Sequence, residues 1–178
     1  VYIQPDGQLR ISAGEGVPDE ESARGVVAVL SRLLVAAGAG VPPVLLELVE
    51  TEADVLFANE VEIMSLYEVD TFDEAVRRVR GHCEVAALTR SEHGSVIVTM
   101  EEAHVVDAHP VAELVDTTGA GDLYAAGFLY GYTRGCDAVD CAKLGSLAAA
   151  EVISHVGARP AVKLADLAAR ELAGISPA

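Results

Sequence analysis

Residues 115–122 read VDTTGAGD, and the apolar run 123–129, LYAAGFL, follows at once. Gly119 and Gly121 permit a tight backbone that side chains would block. The apolar run predicts a helix, and Asp122 lies where that helix would begin. Free N–H groups and the helix dipole at such a terminus favour an incoming anion, for example a phosphoryl group.

A carboxylate beside an anion site has a chemical use. Asp122 can take a proton from an attacking hydroxyl while the nearby amides stabilise charge on the phosphoryl group. Phosphoryl transfer to an alcohol needs both functions. The alternative interpretation is a glycine-rich turn in which Asp122 only caps the helix, and the local physics favours neither.

The longer string at residues 116–127, DTTGAGD-x-x-x-AG, resembles the second signature of the PfkB carbohydrate kinase family, which includes ribokinase and adenosine kinase. In that family the matched aspartate is the catalytic base, and the Gly-Ala-Gly-Asp amides form the anion hole. The resemblance therefore implies that Asp122 is the base and that Gly119, Ala120 and Gly121 contribute the anion hole. It is clearest over residues 50–172.

Composition limits the class of protein. The chain has 178 residues, of which 51% are hydrophobic, and its 12 basic and 28 acidic residues give a net charge of −16. These values fit one soluble α/β domain over residues 1–178. The charge repels nucleic acid and anionic membranes, so we expect neither as a partner, although solubility alone explains it. Three cysteines match no metal or redox spacing, which is typical of a cytoplasmic protein.

Strands alternating with helices predict a layered α/β domain. The resemblance implies the ribokinase-like αβα fold, of which this chain would be the C-terminal portion with its β-hairpins. The pattern predicts hairpins at 1–12 and 95–107, and strands at 53–58 and 84–89. Helices are predicted over 23–37, 59–67, 71–80, 123–132, 137–155 and 164–172, with a linker-like turn near 36–43. The family would place a central strand within 13–50, but the sequence shows no clear counterpart.

Asn59 and Glu62 follow the strand predicted at 53–58. Their spacing fits a capping box, in which each side chain bonds the backbone of the other residue. It also matches the Asn-x-x-Glu motif of the resembled family, which helps to organise Mg²⁺ and the phosphates. The two interpretations are compatible, because one side chain can do both.

The segment 89–94, TRSEHG, lies between a predicted strand and a predicted hairpin. The resembled family usually has Thr-x-Gly-x-x-Gly here, in contact with the nucleotide, whereas this chain has Ser91 at the first glycine. The resemblance makes Thr89, Arg90, Ser91 and Gly94 candidates for ATP contacts. An ordinary β-turn explains the segment equally well.

The resemblance implies two further features near the C-terminus. Ser146 falls where the family lines its adenine pocket. A monovalent cation, K⁺, is an additional candidate, held mostly by main-chain carbonyls. The residues implicated in that site are Asp116, Thr118, Val152, His155 and Gly157.

The resemblance as a whole implies ATP-dependent phosphorylation, with Mg²⁺, of a hydroxymethyl group on a nucleoside such as adenosine or on a sugar. In the family the acceptor is gripped largely by an N-terminal half, and the start at Val1 without Met predicts a fragment. Two alternatives remain: a truncated, non-catalytic nucleotide-binding fragment, and a stable core without a ligand. An unpaired sheet edge would favour self-association, with a homodimer as one form.

Overall fold

The computed structural model describes residues 2–3, 9–10, 27–29 and 43–174. The strands are β1 (Tyr2–Ile3), β2 (Leu9–Arg10), β3 (Val27–Val29), β4 (Val55–Asn59), β5 (Val85–Thr89), β6 (Ser95–Thr99) and β7 (Ala103–Val106). The helices are α1 (Pro43–Thr51), α2 (Glu60–Leu66), α3 (Phe72–Val79), α4 (Ala120–Tyr132), α5 (Ala138–Ile153) and α6 (Leu164–Gly174). A short 3₁₀ turn covers Ser91–His93.

The main sheet has the strand order β3-β4-β5-β6-β7. Strands β3, β4 and β5 are parallel, and β6 and β7 continue the sheet as an antiparallel hairpin. The sequence predicted this hairpin and its neighbouring strands within two residues at each end. The parallel strands therefore end on one edge, where β6 begins.

Side chains alternate between the two faces of this sheet. Leu56, Leu88 and Val98 pack on one face against helices α1, α2 and α3. Phe57, Ala87 and Ile97 pack on the other face against α4 and α5. Because successive strand residues point to opposite faces, both faces of an almost wholly apolar strand become buried. The result is the αβα layering expected of the ribokinase-like fold.

Phe128 anchors the layer between the sheet and α4. It is fully buried, and its ring meets that of Phe57 edge to face with centroids 5.3 Å apart. On the outer side of α4, a Cβ at Gly127 would lie 2.5 Å from the carbonyl oxygen of Leu144 on α5. Small residues therefore bring α4 and α5 into close contact.

The prediction of a helix over 23–37 is wrong at residues 27–29, because these residues form strand β3. Val27 pairs with Val55, and Val29 pairs with Phe57, in parallel register. β-Branched residues fit a half-buried pleated surface, and pairing with β4 outweighs the helical pattern of the neighbouring alanines and leucines. A strand is thus present within the span where the resemblance implied one, and the rest of the predicted helix lies outside the described residues.

Helix α1 begins at Pro43, where the sequence predicted a linker-like turn. Proline suits the first position of a helix, because its missing N–H would have no intrahelical partner there. Val49, on the inner side of α1, is fully buried and packs in the core. Residues 36–42 lie outside the described part of the chain.

The predicted N-terminal hairpin is present as β1 and β2, which pair antiparallel with Tyr2 opposite Arg10. The residues that join these two strands lie outside the described part of the chain. Within the described ranges, no helix combines the length and the apolar character needed to cross a membrane. Cys83, Cys136 and Cys141 are free thiols, and two of them are buried.

Candidate functional site

Helix α4 begins directly in the glycine-rich stretch. Its N-cap is Gly119, which has φ +83° and ψ 0°, and Asp122 is an exposed carboxylate in the first turn. The sequence placed the start of the helix at Asp122, two residues too late. Asp122 does not cap the helix through its side chain, so the carboxylate stays available on the surface of the first turn.

The first-turn amides of α4 are only partly used. The Ala120 N–H donates to the carbonyl of Thr117 at 3.2 Å, and the Leu123 N–H donates to the carbonyl of Gly119 at 2.9 Å. Within the described part of the chain, the amides of Gly121 and Asp122 meet no acceptor. Such amides at a helix N-terminus, on the positive end of the dipole, favour an anion.

The two glycines of this stretch have different roles. Gly119 is left-handed, and a Cβ there would lie 2.8 Å from the Cβ of Ala158. Gly121 has a helical conformation, and a Cβ there would meet nothing within 4 Å. The sequence predicted that both glycines permit a backbone that a side chain would block. This prediction is right for Gly119 and wrong for Gly121. Gly121 instead leaves open space where a side chain would begin.

Asp116 joins the loop before α4 to the loop after α5. Its Oδ1 accepts from the Thr118 hydroxyl at 2.6 Å and from the Thr118 amide at 2.9 Å. Its Oδ2 accepts from the Gly157 amide at 2.9 Å. The Thr118 hydroxyl and then these amides lower the pKa of Asp116 to about 2. The carboxylate is therefore anionic at neutral pH.

Glu151 organises the loop after α5. Its Oε1 accepts from the Ala161 amide at 2.8 Å and the Val162 amide at 3.2 Å, and it lies 3.3 Å from Nε2 of His155. Glu151 was not predicted from the sequence. An acidic side chain inside the apolar run 147–153 was the available signal, because a carboxylate at such a position needs a polar partner.

A second group of candidate residues lies at the edge where the parallel strands end. Asn59, at the end of β4, is opposite Thr89 at the end of β5, and Thr89 is opposite Ser95 at the start of β6. The predicted capping box is present: the Asn59 amide donates to Glu62 Oε2 at 2.8 Å, and the Glu62 amide donates to Asn59 Oδ1 at 2.9 Å. Glu62 is 6% exposed, so a carboxylate is held firmly at this edge.

The segment between β5 and β6 is a tight turn. The Arg90 amide donates to the carbonyl of Gly94 at 2.7 Å. Ser91 has φ +52° and Gly94 has φ +78°. A Cβ at Gly94 would collide with the backbone of Val106 and Ala108, so only glycine fits there. Ser91 thus occupies a left-handed position at which the resembled family has glycine.

Arg90 is bound on the outside of this turn. Its guanidinium donates to Glu60 at 3.2 and 3.4 Å and lies 4.5 Å from the centre of the Phe72 ring. Both partners belong to the helices that follow β4. The predicted contact between Arg90 and ATP would therefore compete with a carboxylate and an aromatic face.

Tyr124 and Ser95 connect the two groups of residues. The Tyr124 hydroxyl donates to Ser95 Oγ at 2.8 Å, and both residues are buried. Burial raises the pKa of Tyr124 to about 12. Tyr124 lies two residues after Asp122, and Ser95 lies in the row of Asn59 and Thr89. This pair was not predicted from the sequence, although a buried tyrosine hydroxyl is expected to have a partner.

Ser146, predicted in an adenine pocket, is half-buried on α5. Its Oγ accepts from the His109 amide at 2.7 Å and so holds the segment after β7 against the helix. An apolar cavity of about 220 Å³ lies between α4, α5 and α6, and Ser146 is not in its lining. The role of Ser146 in binding adenine stays a prediction.

Comparison with known proteins agrees with this architecture. The sequence profile of the pfkB family of carbohydrate kinases matches residues 26–164. The chain belongs to the pfkB family. The crystal structure of adenosine kinase from Sinorhizobium meliloti superimposes with a TM-score of 0.75 and 43% identity, over 83% of this chain and 45% of that one. A probable sugar kinase from Rhizobium etli gives a TM-score of 0.70 and 47% identity, over 75% and 40%.

The pfkB chain is shorter than its relatives. An uncharacterised sugar kinase of Archaeoglobus fulgidus is 38% identical over 106 residues, which is 59% of this chain and 42% of that protein. The chain thus spans about two fifths of the length of the curated relatives it matches. The structural superpositions likewise cover less than half of each of the two crystal structures.

The resemblance implies Mg²⁺ and K⁺, but the described residues include no group of three or more His, Cys, Asp or Glu side chains that could hold a metal ion, so each cation would need single carboxylates and main-chain carbonyls. Glu62 offers a carboxylate at the strand edge, which is the ligand type that Mg²⁺ prefers. Asp116 is anionic and lies beside the loop that carries His155 and Gly157. Because α5 ends at Ile153, the carbonyl of Val152 is among those without an intrahelical donor. A carboxylate and such carbonyls are suitable ligands for K⁺.

Proposed function

We propose that this pfkB chain is the nucleotide-binding portion of an ATP-dependent phosphotransferase whose acceptor is a hydroxymethyl group of a nucleoside or a sugar. One observation carries the proposal. The first turn of α4 combines the free amides of Gly121 and Asp122, open space above Gly121 and the exposed Asp122 carboxylate. An anion-binding site and a base are thus presented within one helical turn.

The reaction assigns one role to each part of this turn. The acceptor hydroxyl oxygen forms a bond to the γ-phosphorus, and the bond from that phosphorus to the bridging oxygen of ADP breaks. Asp122 takes the hydroxyl proton. The amides of Gly119–Asp122 stabilise the charge on the transferred group. Mg²⁺ would be held with the help of Glu62 and would supply counter-charge to the phosphates.

The nucleotide is expected along the edge where β4 and β5 end. Asn59 and Thr89 lie opposite each other there, and the turn Ser91–His93 follows directly. The buried bond between Tyr124 and Ser95 supports this placement, because it fastens α4 to the same edge. K⁺ near Asp116 and Gly157 would reinforce the loop that precedes α4.

Relatives supply two acceptor classes. The similarity to an adenosine kinase favours an adenosine-like nucleoside, whereas the similarity to sugar kinases favours a sugar. The nucleoside is our first choice because that superposition has the higher TM-score and covers more of this chain. The second candidate is nucleotide binding without turnover, which the partial coverage of the relatives favours.

The test separates binding from catalysis. MgATP is titrated calorimetrically into the wild type and into Asp122→Asn, and ADP formation is then measured with adenosine and a panel of sugars. We expect Asp122→Asn to keep ATP affinity within a few fold and to lower any turnover by about 10²–10⁴, the usual size of a lost general base.

The control is Asp166→Asn, which changes a carboxylate in the first turn of a different helix, α6. It should leave both ATP affinity and turnover unchanged. A wild type that does not bind MgATP would refute the proposal. Normal turnover in Asp122→Asn would remove Asp122 from its role as base.

A further inference from the structure

Glu151 is a charged residue that the proposed reaction does not use. It lies near the end of α5, and its side chain is 10% exposed. One oxygen, Oε1, makes all three contacts that hold it: the amides of Ala161 and Val162, and the ring of His155. The other oxygen, Oε2, is buried and has no hydrogen-bond partner among the described residues.

The loop that Glu151 holds touches the start of α4 at two points. The Gly157 amide donates to Asp116 Oδ2 at 2.9 Å. Ala158 packs so closely on Gly119 that a Cβ on that glycine would lie 2.8 Å from the Cβ of Ala158. Gly119 is the N-cap of α4, so the position of this loop limits where the first-turn amides can lie.

We infer that Glu151 is a positioning residue for the anion site of α4. Its Oε1 holds residues 161 and 162, and this fixes the preceding loop so that Gly157 and Ala158 stay against Asp116 and Gly119. The inference rests on the proposed function only where it says that the first-turn amides of α4 bind the phosphates of ATP. The mechanical link itself is independent of what the site binds.

Two substitutions separate this role from simple core packing. Glu151→Gln keeps an acceptor oxygen where Oε1 lies and removes the charge. Glu151→Met has similar length and no comparable acceptor. A loop held by Oε1 tolerates the first change and loosens with the second, whereas a site that needed the charge would respond to both.

The experiment uses the full chain labelled with ¹⁵N. It records the amide resonances of Gly119, Gly121 and Gly157, hydrogen exchange at Gly157, and the affinity for MgATP. In Glu151→Met we expect exchange at Gly157 to rise by about tenfold or more, with shifted Gly119 and Gly121 resonances, because the acceptor of the Ala161 and Val162 amides is lost. MgATP binding should weaken by about tenfold through lost pre-organisation.

In Glu151→Gln all three measurements should stay within about twofold of the wild type, an amide oxygen being a competent acceptor. The control Glu47→Met changes an exposed glutamate on α1 and should alter none of them. If Glu151→Met does not fold by circular dichroism, Glu151→Ala takes its place. If neither variant folds, Glu151 is needed for the whole fold, and the inference of a local positioning role is overturned.

Unchanged Gly157 exchange in a folded Glu151→Met or Glu151→Ala protein would overturn the inference. Equal disturbance in Glu151→Gln would also overturn it, because the charge rather than the acceptor would then matter. If the loop resonances respond as expected but the wild type does not bind MgATP, the positioning link stands and the proposed function fails.

Discussion

The Tyr124 hydroxyl donates a 2.8 Å hydrogen bond to Ser95 Oγ inside the layer between α4 and the sheet. Ser95 is 1% exposed and Tyr124 is 6% exposed, so water cannot replace either partner. This bond fixes the helix that carries Asp122 to the edge that carries Asn59 and Thr89. The two halves of the candidate site therefore share one buried polar contact.

Removing the tyrosine hydroxyl alone should be costly. Tyr124→Phe leaves Ser95 buried without its donor, and an unsatisfied buried group costs roughly 1–3 kcal/mol. We expect the free energy of unfolding, measured by urea titration, to fall by that amount. The double variant Tyr124→Phe, Ser95→Ala should recover part of the loss, because neither partner is then left unpaired. Additive losses in the double variant would contradict this account.

The two glycines of the N-terminal turn should respond in opposite ways. Gly119→Ala forces alanine into a left-handed backbone conformation and brings its Cβ into a clash with Ala158. It should therefore lower the free energy of unfolding by about 1–3 kcal/mol. Gly121→Ala should leave stability equal or slightly higher, because alanine favours a helix. Gly121→Ala should nevertheless weaken MgATP binding, since its methyl group fills the open space beside the free Gly121 amide, where the proposal places a phosphate.

Thermal unfolding and calorimetric titration of both variants separate these effects. Unchanged ATP affinity in a stable Gly121→Ala protein would mean that the phosphates do not approach this turn. A stable Gly119→Ala protein would mean that the loop around Ala158 can shift to accommodate the added Cβ at little cost in free energy.

The elements from residue 53 onward could be predicted, because their patterns are local. Asn59 and Glu62 are three residues apart, and the predicted capping box is present with both bonds. Strand β3 was missed because its identity depends on pairing with β4, 28 residues along the chain. Ser95 with Tyr124, and Glu151 with Val162, were missed for the same reason: each bond joins residues that are distant in sequence.

Asp116 should make stability depend on pH in acid. Its hydrogen bonds lower the pKa from the ordinary value of 3.8 to about 2. A depressed pKa stabilises the folded state above the unfolded value, and this contribution is lost as the pH falls through about 4 towards 2. Asp116→Asn should remove the contribution, so the difference in urea midpoint between wild type and variant should shrink between pH 5 and pH 2. A difference that stays constant over this range would contradict the assignment.

Turnover by this chain alone should be slow even where MgATP binds. Phosphoryl transfer depends on holding the acceptor hydroxyl in line with the γ-phosphate, and orientation of this kind contributes about 7–11 kcal/mol. Asp122 and its neighbour Gly121 are exposed in this structure, so the described residues neither grip an acceptor nor exclude water from the base. We therefore expect ADP formation from the 178-residue chain to depend little on added adenosine or ribose, with light scattering run in parallel to report its association state. The matched comparison joins the chain to the acceptor-binding half of a relative, which should make ADP formation depend on the acceptor. Acceptor-dependent turnover at ordinary enzyme rates from the monomeric chain alone would show that these residues already form a complete active site.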